Sequence, residues 1–231
     1  YYIDKTKLIE QLVEMGGEVT LFTRPRRFGK TLNMSMLDCF FSNKYANRAD
    51  LFEGLSIWQD ETYRKLQGTY PVIFLSFAAV KAGNLEDAKT QIKQEITRLY
   101  WENRNLMKED IFGEDERELY YRTTVKMDDV TAQDSLRNLS VWMERYYGKK
   151  VIILLDEYDT PMQEAYVQGY WDEFTSFVRS LFNASFKTNP YLERAIMTGI
   201  TRVSKESIFS DLNNLRVVTT TSNLYADCFG F

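Results

Sequence analysis

The triplet Gly29-Lys30-Thr31 lies where a β-type run gives way to a helix, and this junction constrains the fold more than any other stretch. The run from Glu18 to Thr23 is short and largely apolar. From Lys30 onward, apolar residues recur at helical spacing, at Leu32, Met36, Leu37, Phe40 and Phe41. The first amides of a helix have no partner inside it and bind anions. The junction therefore predicts a phosphate-binding loop of the pattern G-x-x-x-x-G-K-[ST].

Arg24 stands where that pattern has its first glycine, and Arg26 and Arg27 follow closely. Because Pro25 disfavours helical backbone in the residue before it, we expect Arg24 to continue the strand with ordinary dihedral angles. The later amides and the lysine of such a loop make most of the phosphate contacts. The substitution therefore affects loop shape and affinity more than the existence of the site. For Arg26 and Arg27 three roles stay open, namely contact with phosphate, an ion pair within the domain, or exposure to solvent.

A second element consists of the aliphatic run from Val151 to Leu155, followed by Asp156 and Glu157. The run predicts a strand that is buried on both faces. Asp156 at its carboxyl end is placed to hold Mg²⁺, directly or through water, and Glu157 is placed to accept a proton from an attacking water. The alternative is a core strand that runs into a polar turn. The phosphate-loop triplet upstream favours the first interpretation, a Walker B strand.

A third element is the predicted strand from Ala195 to Thr198, with Arg202 shortly after it. In NTPases that use a catalytic glutamate, the polar end of a neighbouring strand lies near the γ-phosphate, which makes Thr198 a candidate catalytic group. Arg202 is a candidate for stabilising charge in the same region. The alternative for Arg202 is a solvated position in the turn.

The chain as a whole predicts an α/β fold of the P-loop NTPase type, with a mainly parallel five-stranded sheet and helices on both faces. The five predicted strands are 18–23, 72–77, 151–155, 195–198 and 215–219. We expect one domain over residues 1–231. Residues 103–128 are charged and lack clear periodicity, which predicts an insertion or flexible connection. Asn84 is the expected cap of a long helix, and Gly148 is the expected end of another.

Composition excludes several classes of chemistry. The 231 residues include no histidine, which removes serine–histidine triads, histidine bases and most catalytic zinc sites. Cys39 and Cys228 lie far apart and suggest no disulfide framework, as expected in the cytoplasm. No apolar run has the length of a membrane span. The net charge of −4 gives no global attraction to nucleic acid, so direct DNA binding through the arginine-rich loop is weakly supported.

Four stretches together resemble the bacterial AAA-ATPase-like proteins. They are Tyr2-Ile3-Asp4-Lys5-Thr6, the loop from Arg24 to Thr31, Leu154-Leu155-Asp156-Glu157-Tyr158-Asp159-Thr160-Pro161, and the stretch from Ser207 to Leu215. The resemblance extends over essentially the whole chain. It implies a P-loop ATPase fold, and full-length members commonly carry a C-terminal domain similar to PD-(D/E)XK nucleases. We therefore expect this chain to be a segment of a longer protein. We expect the second domain to lie outside this segment.

The resemblance also implies roles for individual residues. Lys30 matches the Walker lysine that contacts the β- and γ-phosphates, and Thr31 matches the hydroxyl that binds Mg²⁺. Asp156 matches the Walker B aspartate and Glu157 the catalytic base, while Asp159 is a second candidate acid. The nucleotide-binding set is Arg26, Arg27, Phe28, Gly29, Lys30, Thr31 and Leu32.

Three functions follow as hypotheses. The first is a Mg²⁺-dependent ATPase domain that couples nucleotide state to an attached effector domain, plausibly nuclease-like, with a homo-oligomer as a possible assembly. The second is a regulatory module that binds nucleotide with little turnover. The third is an interaction scaffold that binds no nucleotide.

Overall fold

Strands and helices alternate along the computed structural model, which describes residues 3–16, 18–201, 208–209 and 211–229. The strands are β1 (Val19–Thr23), β2 (Val72–Ser76), β3 (Val151–Asp156), β4 (Leu192–Gly199) and β5 (Leu215–Val218). The helices are α1 (Lys7–Glu14), α2 (Lys30–Phe41), α3 (Glu61–Arg64), α4 (Leu85–Glu102), α5 (Glu114–Arg122), α6 (Asp129–Tyr147), α7 (Thr160–Gln168) and α8 (Trp171–Phe182). Short 3₁₀ helices cover Asn43–Tyr45, Ala49–Leu51, Ser56–Gln59 and Arg104–Lys108, and a π-helical turn covers Asn183–Lys187.

The five strands form one sheet in the order β2-β3-β4-β1-β5, and every neighbouring pair is parallel. Parallel neighbours require crossover connections, which the intervening helices supply. The predicted five-stranded α/β sheet is thus confirmed. β4 begins at Leu192 rather than Ala195, so it is longer than the sequence pattern indicates.

Helices cover both faces of the sheet, as predicted. Along β3, Ile153 and Leu155 pack into a cluster with side chains of α4, α6 and α8. The alternate residues Ile152 and Leu154 pack into a second cluster with side chains of α1 and α2. Because successive strand residues point to opposite faces, the aliphatic run of β3 contributes to both layers of the core.

Residues 103–128 contain a 3₁₀ helix and α5, where the sequence predicts an insertion or flexible connection. Five side chains of this stretch are buried in the main core, namely Leu106, Met107, Phe112, Tyr120 and Met127. The Tyr120 ring packs against Tyr100 of α4 and Trp142 of α6. Irregularly spaced apolar and aromatic side chains hold the stretch, and such spacing leaves no regular apolar periodicity to detect.

The expected helix ends are present. The Asn84 side chain accepts a hydrogen bond from the amide of Asp87 at 2.9 Å and caps α4. Gly148 ends α6 with a φ of 67°, a conformation that glycine adopts readily. Among the described helices, none combines the length and apolar character needed to cross a bilayer.

Candidate functional site

The carboxyl ends of β1, β3 and β4 meet at one edge of the sheet. β4 lies between the other two, with Phe22 opposite Thr198 and Leu155 opposite Met197. Thr198 therefore lies between the loop that follows β1 and Asp156, which ends β3. Open parallel sheets bind their ligands at this edge.

Asp156 accepts hydrogen bonds from two threonine hydroxyls. Thr31 Oγ1, at the start of α2, donates to Asp156 Oδ2 at 2.7 Å. Thr198 Oγ1 donates to the other carboxylate oxygen, Oδ1. Asp156 and Thr198 are buried, and the Asp156 carboxylate forms no ion pair with a described residue. The structure thus brings together three oxygen-bearing side chains that the sequence singles out separately.

The loop before α2 makes its turn at Arg27 and Gly29, with φ angles of 64° and 69°. The nearest atom to a Cβ built on Gly29 is Asn33 Nδ2 at 3.9 Å, so backbone conformation rather than space favours glycine here. The amide of Asn33 donates to the Gly29 carbonyl at 2.9 Å, the first turn of α2. The amides of Lys30, Thr31 and Leu32 precede that bond and are the ones that a helix offers to an anion.

Lys30 folds back over this loop. Its Nζ donates to the carbonyl oxygens of Pro25 at 3.0 Å and Arg24 at 3.3 Å, and the residue is buried. The ammonium group therefore lies at the loop and close to the start of α2, where a bound phosphate is expected.

Arg24 fills the position of the missing glycine without strain. Its amide donates to the Gly199 carbonyl at 3.0 Å, so β1 continues its pairing with β4 through this residue, as predicted. Its guanidinium turns inward and donates to the carbonyl oxygens of Thr23 and Val218, each at 3.0 Å. It also lies 5.5 Å from the ring centre of Phe229. Burial lowers the pKa of Arg24, and Cys228 acts in the opposite direction.

Arg24 is thus a structural anchor that joins the loop to β5 and the C-terminal segment. Phe229 also stacks on Phe22 of β1, with ring centres 4.2 Å apart. The three-dimensional partners of Arg24 explain why a glycine is not required at this position.

The neighbouring arginines behave differently. Arg26 and Arg27 are exposed and form no ion pair with any residue that the structure describes. Phe28 is half-buried in the same turn. The Leu32 side chain is exposed and lines an apolar groove of about 370 Å³ on the outer face of α2, together with Met36, Leu51 and Phe52. Only the backbone of Leu32 faces the predicted phosphate position.

Glu157 occupies the turn directly after β3, with a φ of 52°. Its amide donates to Thr198 Oγ1 at 3.3 Å, and its carboxylate accepts from Thr160 Oγ1 at 3.2 Å. The side chain is half-buried. A positive φ in a non-glycine residue is unfavourable and recurs at functional positions. The turn therefore places the Glu157 amide beside Thr198 and its carboxylate beside Thr160, at the start of α7.

Asp159 is fully buried and faces the end of β4. Its Oδ2 accepts from the amides of Ile200 and Thr201 at 3.0 and 2.9 Å, from the Thr201 hydroxyl at 2.8 Å, and from Gln163 at 3.1 Å. A Cβ on Gly199 would lie 2.8 Å from Asp159 Oδ1, so glycine permits the close approach. Asp159 therefore ties the turn after β3 to the turn after β4. Arg202 lies outside the described residues.

Two contacts of this site were not predicted from the sequence. The Thr160 hydroxyl that holds Glu157 lies in a stretch that reads as a polar turn, although α7 begins there. The role of Asp159 depends on backbone amides 41 and 42 positions away. For Thr160 the sequence did contain a signal, because Pro161 follows it and proline is frequent in the first turn of a helix.

Comparisons with known proteins concern the chain as a whole rather than the individual residues of this site. The family model described as "Predicted AAA-ATPase" matches residues 1–209, and that family supports a nucleotide-binding, ATPase-like domain. An uncharacterized protein in the vnfD 5′ region of Azotobacter chroococcum mcd 1 is 26% identical over 229 residues. The match covers 99% of this chain and 39% of that relative, so the chain spans well under half of the relative's length. No solved structure matches the chain.

Proposed function

This chain belongs to the predicted AAA-ATPase family, and from that premise we propose that it is a Mg²⁺-dependent domain that binds and hydrolyses ATP. The observation that carries the proposal is the hydrogen bond between Thr31 and Asp156, 2.7 Å long. It joins the start of the helix after the phosphate loop to the end of β3. A site for a triphosphate and its metal ion needs both halves.

The donor atoms at this point fit Mg²⁺. A threonine hydroxyl and a carboxylate are hard oxygen ligands of the kind that Mg²⁺ prefers. The described residues contain no group of three or more acidic, cysteine or histidine side chains that would form a protein cage. Mg²⁺ is commonly held by one or two protein oxygens together with substrate phosphates and water, so Thr31 and Asp156 suffice.

In the proposed mechanism, the amides at the start of α2 and the Lys30 ammonium bind the phosphates. Lys30 exchanges its hydrogen bonds to the loop carbonyls for bonds to phosphate oxygens, which are stronger because both partners are charged. Arg26, Arg27, Phe28 and Gly29 form the rest of the loop around the phosphates. Bound Mg²⁺ supplies neutralisation of phosphate charge.

Glu157 acts as the general base for the attacking water. Thr160 and the turn after β3 hold its carboxylate, and a positioned base contributes about 10²–10⁴-fold to a rate. Thr198 lies between Asp156 and the Glu157 amide and is proposed to orient both toward the γ-phosphate. Arg202 is proposed to stabilise charge in the transition state.

The attached effector is the second part of the proposal. The chain matches 39% of its longer relative, and nucleotide state is proposed to act on a further, nuclease-like domain of the same protein. Arg24 offers a physical connection, because it joins the phosphate loop to Val218 and Phe229 of the C-terminal segment. A homo-oligomer is a compatible assembly.

The proposal is tested by titrating ATP with and without Mg²⁺ and following thermal unfolding. Ligand that binds only the folded state stabilises by about 2.7 kcal/mol at a hundredfold excess over Kd. The wild type should gain this stability, and Lys30→Met should gain much less. Arg122→Met, an exposed change on α5, is the matched control and should respond like the wild type. Equal responses of Lys30→Met and the control would refute the proposed phosphate site.

A further inference from the structure

A second group of polar side chains lies on the α1–α2 face of the sheet, toward the amino ends of the strands. Three of its buried atoms have no acceptor for their hydrogen within the described residues, namely Thr20 Oγ1, one terminal nitrogen of Arg194 and the Tyr225 hydroxyl. Thr20 and Tyr225 are themselves fully buried. Buried polar atoms without partners are rare, and each calls for an explanation such as a bound ion or water.

The strand register places these side chains on one face. Thr20 is opposite Ile196 of β4 on one side and opposite Arg216 of β5 on the other. Arg194 precedes Ile196 by two residues, and residues two apart in a strand point to the same face. The two arginines therefore flank Thr20 on neighbouring strands. Both are half-buried, so the group is open to solvent on their side.

Tyr225 packs against the same face of the sheet as this group. Its ring packs edge-on against Phe22, with centres 5.0 Å apart, and Phe22 follows Thr20 by two residues on the same strand. Tyr225 has a φ of 60°, which is strained for an aromatic residue and persists only where the surroundings impose it. Burial raises the pKa of Tyr225, whereas a weak hydrogen bond from the Arg216 guanidinium to its hydroxyl and the charges of Arg216 and Arg194 lower it. The packing on Phe22 places Tyr225 over the same part of the sheet as Thr20 and its strand neighbour Arg216.

The positive charge of this group is not balanced locally. Neither Arg194 nor Arg216 forms an ion pair within the part of the chain that the structure describes. Arg216 donates to the carbonyl oxygens at the end of α1. Glu193 is exposed and acts on Arg194 only through its charge, and Glu18 accepts a hydrogen bond from Asn214. The hydrogen-bond donors of the two arginines and of Tyr225 thus outnumber the acceptors that surround them.

We propose that Arg194, Arg216 and Tyr225, with Thr20 beneath them, bind a small oxyanion. Every unpartnered atom of the group can donate a hydrogen bond, and guanidinium groups match the geometry of carboxylate, sulfate and phosphate oxygens. The site lies toward the amino ends of β1 and β4, whereas the nucleotide site lies at their carboxyl ends. It is therefore separate from the proposed ATP site and does not depend on the proposed function.

Thermal unfolding in sulfate tests the proposal. Lys30→Met serves as the background, because it removes the phosphate-loop cation. Sulfate is titrated at constant ionic strength set with sodium chloride. Specific binding raises the melting temperature with the logarithm of sulfate concentration above Kd, whereas general exclusion of sulfate from the surface raises it in proportion to concentration. We expect the melting temperature of the Lys30→Met background to rise with the logarithm of sulfate concentration. The double variant with Arg194→Met should lose this logarithmic dependence. Adding Arg122→Met instead, as the matched control, should preserve it.

Tyr225→Phe provides a second variant that keeps the ring packing on Phe22 and removes only the hydroxyl. It should fold, and we expect its apparent sulfate affinity to fall about tenfold, the effect of one hydrogen bond to a charged group. Titrations with phosphate and with acetate then distinguish between the two kinds of oxyanion that the site could bind. A response to acetate as well as sulfate identifies carboxylates as ligands, and a response to sulfate and phosphate alone identifies a free tetrahedral anion. Identical curves for Arg194→Met, Tyr225→Phe and the control would overturn the proposal.

Discussion

Thr31 Oγ1 lies 2.7 Å from Asp156 Oδ2, although 125 positions separate the two residues in the chain. One belongs to the first turn of the helix after β1, and the other ends a strand two places away in the sheet. The contact turns two separate sequence motifs into one cluster of oxygen atoms. It is also the point at which a small substitution should separate metal binding from phosphate binding.

Thr31→Val should abolish the Mg²⁺-dependent part of ATP stabilisation, because it removes a metal ligand while nearly conserving volume. Loss of the hydroxyl also leaves one Asp156 oxygen without a donor, which costs about 1–3 kcal/mol of folding stability. Thr31→Ser keeps the hydroxyl and is the matched control. Thermal unfolding with ATP, with and without Mg²⁺, measures both effects. A full Mg²⁺ response in Thr31→Val would exclude Thr31 as a ligand.

Asp159→Ala should destabilise the domain strongly, since four donors lose one buried acceptor oxygen. We expect a loss of about 3 kcal/mol or more in the free energy of unfolding, measured by urea denaturation. Amide hydrogen exchange should accelerate at Ile200 and Thr201 in particular. Asp60→Ala removes an exposed helix cap and should cost only about 1 kcal/mol. Equal losses in the two variants would show that Asp159 does not hold the two turns together.

Arg24→Gly restores the usual residue of the loop pattern and should nevertheless destabilise the protein. The change removes charged hydrogen bonds to Thr23 and Val218 and the contact with Phe229. We expect a loss of about 2–4 kcal/mol and faster amide exchange over residues 215–229. Arg26→Gly, in the exposed part of the same loop, carries the same backbone cost of glycine and should lower stability by about 1 kcal/mol or less. A stable Arg24→Gly protein with unchanged exchange would contradict the anchoring role.

Asp38 should make stability depend on pH. Burial raises its pKa from 3.8 to about 6, while Lys44 lowers it and Glu102 raises it further. Since the folded-state pKa exceeds the unfolded value, this contribution to stability is complete below about pH 4 and is lost as the pH rises through about 6, with an upper limit of about 3 kcal/mol.

Asp38→Asn keeps the shape of the side chain without its charge. It should therefore be more stable than the wild type at about pH 8 and no more stable at about pH 4. Urea denaturation at both pH values measures the difference. Asp110→Asn, at a fully exposed position, should follow the wild type at both. A stability gain that is the same at both pH values would disprove the assigned titration.

Local patterns in the sequence predict the sheet and the two halves of the site. Aliphatic runs such as β3 and the strand-to-helix change at Gly29 are properties of neighbouring residues, so they are visible without a structure. The anchoring of Arg24 is not visible in this way, because its acceptor on Val218 lies 194 positions away. The same holds for Asp159 and the turn after β4. Residues 103–128 are held by irregularly spaced apolar and aromatic side chains that contact α4 and α6. Such contacts cannot be predicted from the periodicity of apolar residues.

Phosphate release from ATP by the wild type and by Glu157→Gln tests the central claim most directly. The substitution keeps the size of the side chain and removes its basicity. We predict Mg²⁺-dependent turnover by the wild type, a fall of about 10²–10⁴-fold in kcat for Glu157→Gln, and an unchanged rise in melting temperature with Mg²⁺ and ATP. Equal turnover by the two proteins, or no turnover by either while ATP still binds, would contradict the assignment of this chain as an ATPase with Glu157 as its base.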